Sequence, residues 1–251
     1  MPRHFLTLSY DGTDYFGWQR QPGTRTVQGM LEEALSTVLR EDIELVGCGR
    51  TDAGVHARNY VAHFNATAPL PDRLLGRLNR YLPADVALHR IQPVSDQAHA
   101  RFDATHRAYV YHLHTRKEPH RRHHSYHFPF ADQLDRTRLE AAAALLPRFA
   151  EFAPFCKTGH DAPTLRCDVR HSEWRFFPDE HRMEYHIAAD RFLRGMVRLI
   201  VGMSLHVGVG KMTRAEVEHA LETQTALPKP WSVPGNGLFL REVRYDRLNL
   251  V

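Results

Sequence analysis

Cys48-Gly49-Arg50-Thr51-Asp52-Ala53-Gly54-Val55-His56 is the stretch whose reading decides the fold. It lies between two runs of strand character, Ile43 to Val46 and Tyr60 to Phe64, and so reads as a loop joining two strands. Reactive side chains collect on loops that rigid strands carry. Asp-Ala-Gly is equally an ordinary turn former, in which the carboxylate bonds its own backbone. On this stretch alone both readings stay open.

Upstream, Phe5 to Tyr10 alternates Leu6, Leu8 and Tyr10 onto one face, the pattern of a strand. Asp11 to Gln21 follows, rich in turn formers and aromatics. Its Trp18 and Gln19 suit contact with single-stranded nucleotides, while Trp18 equally suits a core plug. Val27, Met30, Leu31, Ala34, Leu35, Val38 and Leu39 keep helical spacing, with Thr26 as the N-cap. Downstream, Pro71 and Asp72 open a short helix bearing Leu74, Leu75, Leu78 and Tyr81, and Val86 to Ile91 is a strand. The order is βαββαβ, the ferredoxin-like arrangement.

The second half repeats that order with a helix added. Arg107 to Leu113 is a strand with Tyr109, Tyr111 and Leu113 on one face. Asp135 to Leu146 is a helix ended by Pro147, and the strands Val169 to Phe176 and Met183 to Ala188 join through Pro178-Asp179. A long helix from Arg191 to Val207 buries Phe192, Met196, Leu199, Ile200, Met203 and Val207. On its other face Arg191, Arg194 and Arg198 form one basic stripe. Thr213 and Glu216 make a capping box for another helix, and Leu238 to Tyr245 is the last strand. The expected architecture is α+β: residues 1–104 carry the Asp52 loop, residues 105–251 carry the tyrosine strand and the Arg helix, and a cleft between them takes RNA.

Of 251 residues, 43% are hydrophobic, enough for one or two domains with real cores. The 33 Lys+Arg against 29 Asp+Glu leave +4, and Arg, the better bidentate partner for phosphate, supplies nearly all the positive charge. With 18 His the balance leans towards a polyanionic partner, though an ordinary solvated surface fits too. Cys48, Cys156 and Cys167 are of odd number and imply no disulfide framework. No apolar run reaches membrane-spanning length, and Met-Pro-Arg-His has no signal-peptide form, so the expectation is a cytoplasmic protein without a membrane partner. The histidine-rich run from His120 to His127 invites a metal reading, since His123 and His127 would share a helix face. Arg121 and Arg122 repel a cation, however, and Pro119 and Pro129 bracket a loop, so no metal site is assigned.

Gly-Arg-Thr-Asp-Ala-Gly-Val-His (49–56) resembles the catalytic motif of the tRNA pseudouridine synthase A family. Tyr-Asp-Gly…Gly-Trp-Gln-x-Gln (10–21) resembles that family's N-terminal signature, and His-Ala-Arg-Phe with Arg-x-Tyr-x-Tyr (99–111) its second motif. The resemblance implies a pseudouridine synthase fold and an isomerase that converts uridine to pseudouridine in the anticodon stem-loop of tRNA, at positions 38, 39 and 40. It implies base flipping, no cofactor, and a homodimer. Carried onto this chain it makes Asp52 the nucleophile, Tyr109 the residue stacking on the uracil, and Arg198 the partner of Asp52, although phosphate binding by Arg198 stays open. Arg50, Arg101, Leu240, Arg191, Arg194, Trp18 and Gln19 are the further substrate-binding candidates. A tRNA-binding protein without catalysis is the alternative from another class, and a metal hydrolase built on the histidine run is a third.

Overall fold

In the computed structural model, which describes residues 1–157 and 164–246, the chain forms two compact units. One comprises Met1–His106 with the segment from Phe239 onward, the other Arg107–Leu238.

The first unit begins with β1 (Arg3–Tyr10), α1 (Val27–Leu39) and the two-residue β2 (Val46–Gly47). Thr26 caps α1 as expected, its hydroxyl accepting from Gly29 N–H. Ile43 to Val46, expected as a strand, joins the sheet only at Val46. Side chains of α1 take the backbone groups that a ladder would have used: Ser36 Oγ accepts from Ile43 N–H, Glu32 from Leu45 N–H, and Gln28 donates to the Leu45 carbonyl. Ile43 and Leu45 are still buried, so the apolar pattern reports packing without reporting pairing. β3 (His56–Asn65) starts four residues earlier than Tyr60. α2 (Leu74–Tyr81) and β4 (Val86–Val94) follow. α2 begins after Arg73, which takes a left-handed φ of 61°, and not at Pro71.

The second unit contains β5 (His106–His114), β6 (Tyr126–His127), α3 (Arg136–Ala143), β7 (Val169–Phe177), β8 (Arg182–Ala189), α4 (Met196–Gly208) and α5 (Arg214–Thr223). β6 was hidden inside the histidine run. His127 is therefore a strand residue, its ring stacked on His114 at 5.2 Å, and does not share a helix face with His123. The capping box of Thr213 and Glu216 is present in both directions. In this unit the sheet runs β6-β5-β8-β7, parallel between β5 and β6 and antiparallel elsewhere. Tyr111, Leu113, Tyr185 and Ile187 are buried there, and α3 packs on both α4 and β7.

β9 (Leu238–Arg244) then returns to the first unit and pairs in parallel with the start of β3, His56 opposite Phe239 and Ala57 opposite Leu240. That unit's sheet is thus β4-β1-β3-β9, with β1 antiparallel to both β3 and β4. The parallel pairing explains the early start of β3: its first residues have a ladder partner far along the chain. Among the described residues no helix is long and apolar enough to cross a membrane.

Candidate active site

Asp52 is half-buried in a turn closed by its own carbonyl, which accepts from Val55 N–H at 3.2 Å. What fixes the turn is the other glycine-bearing loop, residues 11–18. Trp18 N–H donates to the Thr51 carbonyl at 3.1 Å and Gly54 N–H to the Tyr15 carbonyl at 3.3 Å. The hydroxyls of Tyr10 and Thr51 are 2.9 Å apart, and Gly12 N–H donates to His56 Nδ1 at 3.0 Å. The approach is so close that only glycine fits. A Cβ on Gly17 would lie 2.3 Å from the Thr51 carbonyl oxygen, and one on Gly12 2.0 Å from that of Val55. Gly17 also holds a φ of 88°, which other residues rarely adopt. The two stretches quoted from the sequence are therefore one structural body.

Beneath that body lies a ring cluster. Trp18 is 3% exposed and stacks on Tyr60 at 4.0 Å, and the Tyr60 hydroxyl donates to the Gly49 carbonyl. The structure decides between the two readings of Trp18: it is the plug, and its ring has no face to offer a nucleotide. His56, 1% exposed, stacks on Phe239 of β9 at 4.4 Å. Leu240 is buried beside it, while Gln19, Arg50 and Arg101 are exposed on the same unit. Arg101 lies next to Phe102, whose ring stacks on His99 at 4.2 Å.

In the second unit Tyr109 is half-buried on β5, with Phe192 edge-on to its ring at 5.2 Å and 88°. Arg198 is held by an irregular segment after α5. Its Nε donates to the Val233 carbonyl at 2.6 Å, while Val233 N–H donates back to the Arg198 carbonyl at 3.3 Å. The next residue, Pro234, accepts from the hydroxyl of buried Tyr111 at 2.8 Å. One short segment thus ties α4 to β5. Burial pushes the Tyr111 hydroxyl far above its ordinary pKa, so it stays a donor.

The basic stripe needs correction. α4 begins at Met196 behind Gly195, whose φ of 70° breaks the helix, so Arg191 and Arg194 precede it and only Arg198 is helical. The Asp190 carboxylate holds the preceding turn, accepting from both Arg191 N–H and Asp168 N–H at 2.7 Å. Arg194 is exposed and Arg191 half-buried. In the histidine run, His120, His123 and His124 are exposed, and Arg122 Nε donates to His123 Nε2 at 2.7 Å. The glycines, Tyr60 and the Val233-Pro234 segment, which do the holding, were not identified from the sequence. They stand far along the chain from what they hold.

A family model described as tRNA pseudouridine synthase matches residues 7–103 and 149–246. The match covers the Asp52 loop and α4 and passes over β5. A tRNA pseudouridine synthase A of Bacteroides thetaiotaomicron is 44% identical over 247 residues, 98% of this chain and 91% of the relative. One of Porphyromonas gingivalis is 41% identical over 248 residues, 98% of each chain. One of Bacillus licheniformis is 35% identical over 245 residues, 96% of this chain and 98% of the relative.

Proposed function

This chain belongs to the tRNA pseudouridine synthase family, a family of uridine isomerases, and we propose that Asp52 is the nucleophile with which it converts uridine of tRNA to pseudouridine. The reaction breaks the N1–C1′ bond, turns the uracil and rejoins it through C5, so no redox cofactor enters. It needs a carboxylate held still while the base leaves and returns. The observation that carries the assignment is the over-determined loop: the residues flanking Asp52 are bonded to a second loop that admits only glycine at two contacts. Such rigidity is out of proportion for a surface turn. Whether the carboxylate attacks C1′ or C6 is the same demand on its position.

Tyr109 we assign to stacking on the uracil and to proton handling at C5. Arg198, its guanidinium oriented through the bond to Val233, we assign to pairing with charge at the reacting centre. Exposed Arg50, Arg101 and Arg194 suit phosphate contacts. The finer reading also includes uridines 38 to 40 of the anticodon stem-loop as targets, a homodimer in the cytoplasm, and two ferredoxin-like halves. The last is supported by the order β1-α1-β2-β3-α2-β4 and its echo in β5-α3-β7-β8-α4.

The test is release of tritium from tRNA labelled at C5 of uridine. Asp52→Asn keeps the shape and loses the charge, so release should vanish while tRNA affinity survives. Release by the purified Asp52→Asn protein would remove Asp52 from the chemistry. A wild-type protein that binds tRNA and releases nothing would favour the non-catalytic reading.

A further inference from the structure

The second unit carries an aromatic-walled cavity for which the assignments above have no use. Tyr126, Phe128, Phe130 and Trp231 line it with His206 and Lys211, around a volume of about 320 Å³, the size of a small-ligand site. Three parts of the chain build it: β6 with the residues after it, the C-terminal end of α4, and the segment around Trp231. The rings brace one another. Tyr126 meets Trp231 edge-on at 6.2 Å, Phe128 meets Phe130 edge-on at 5.9 Å, and His206 stacks on Trp231 at 5.2 Å and 23°. Trp231 is seated directly on α4, for a Cβ on Gly202 would lie 1.9 Å from its carbonyl oxygen. Phe130 remains 45% exposed.

The rim is cationic. Lys211 Nζ stands 5.2 Å from the Phe130 ring centroid, and Lys229 Nζ donates to the Lys211 carbonyl at 3.2 Å. The Lys229 carbonyl in turn lies 3.1 Å from His206 Nδ1. Two of the few lysines in an arginine-rich chain thus meet here, and among the described residues no carboxylate lines the cavity. Flat apolar walls under an ammonium group recognise a flat π-system that carries negative charge. An apolar peptide would leave the cations unused. A second copy across a two-fold axis would set this lysine rim against its own image, like charge against like.

We propose that this cavity takes an unstacked nucleotide of the bound RNA, its base against Phe130 and Trp231 and its phosphate on Lys211. The proposal rests on tRNA being the substrate. His206 follows Arg198 by eight residues on α4, about 12 Å of helix axis, so the nucleotide held here lies a short way along the strand from the one at Arg198.

The experiment uses the full-length protein and an unmodified tRNA transcript, and reads affinity as a function of salt. Phe130→Ala, at an exposed position, should weaken binding roughly five- to hundredfold, and Phe130→Trp, which restores a ring, should recover most of it. Lys211→Ala should flatten the dependence of log affinity on log salt by up to about one unit. Wild-type affinity in both alanine variants overturns the proposal. So does a Phe130→Ala protein whose only change is a loss of self-association, which would make the cavity a contact between copies. The underlying reading fails separately: a wild-type protein that releases no tritium loses its assignment as an isomerase, whatever Phe130→Ala does to RNA affinity.

Discussion

Phe192 braces Tyr109 by its edge, and the two parts of that side chain can be tested apart. Tyr109→Ala should lose stacking worth roughly 1–3 kcal/mol of RNA affinity, whereas Tyr109→Phe keeps the ring and should bind near wild type. If the hydroxyl handles the C5 proton, the Phe variant should be slower by about 10²–10⁴-fold in single turnover. Val110 is 4% exposed on the opposite face of β5, so Val110→Ala should cost about 1–3 kcal/mol of stability and leave the chemical step alone. A Tyr109→Phe protein as fast as wild type would reduce the residue to a stacking platform. The alternation that placed Tyr109 was legible in the sequence because a strand has a fixed period of two. The fate of Trp18 was not. A buried tryptophan and a base-stacking one look alike in a row of letters, and the deciding partner, Tyr60, stands far along the chain.

Between elements, the close approach of residues 11–18 to the Asp52 loop makes a sharper prediction than either loop alone. Gly17→Ala puts a methyl into the Thr51 carbonyl at a left-handed φ, and should cost on the order of 2–4 kcal/mol. It should also slow isomerisation more than tenfold by displacing Asp52. Gly49→Ala is the control, because nothing lies within 4 Å of its added Cβ; thermal melting and tritium release of the two variants decide the point. Element boundaries show where periodicity runs out. Arg191, Arg194 and Arg198 have helical spacing, yet Gly195 stops the helix between them, and spacing cannot see a backbone break that one residue imposes. Ile43 to Val46 alternates like a strand, yet the side chains of α1 reach its backbone first. In both places a local pattern lost to a neighbour that the pattern does not contain.

Over the whole molecule, histidines held neutral set the response to acid. Burial, helped by Arg3 and His99 and opposed by Asp103, pulls His63 from 6.5 to about 4, and its Nδ1 accepts from Ala100 N–H. Burial also lowers His4, His99, His114 and His206. Each folded value lies below the unfolded one, so the unfolded chain binds more protons as pH drops below 6.5, and stability falls with it. The His63 share alone is about 2 kcal/mol between pH 7.5 and pH 5. Urea midpoints at the two pH values should show the loss, and His63→Asn, whose amide oxygen can take the Ala100 N–H, should shrink it. A midpoint independent of pH would mean that these rings are solvated. The parallel pairing of β9 with β3 has a consequence for the chain as it is made. On the ribosome, Phe239 emerges some 133 residues after His106, on the order of ten seconds later. Through that interval the nascent first unit presents the open edge of β3 at His56 and Ala57, a template for any stray strand. A strand translated well after the rest of its sheet closes the edge beside the Asp52 loop, so the newborn first unit is exposed to mispairing until β9 arrives.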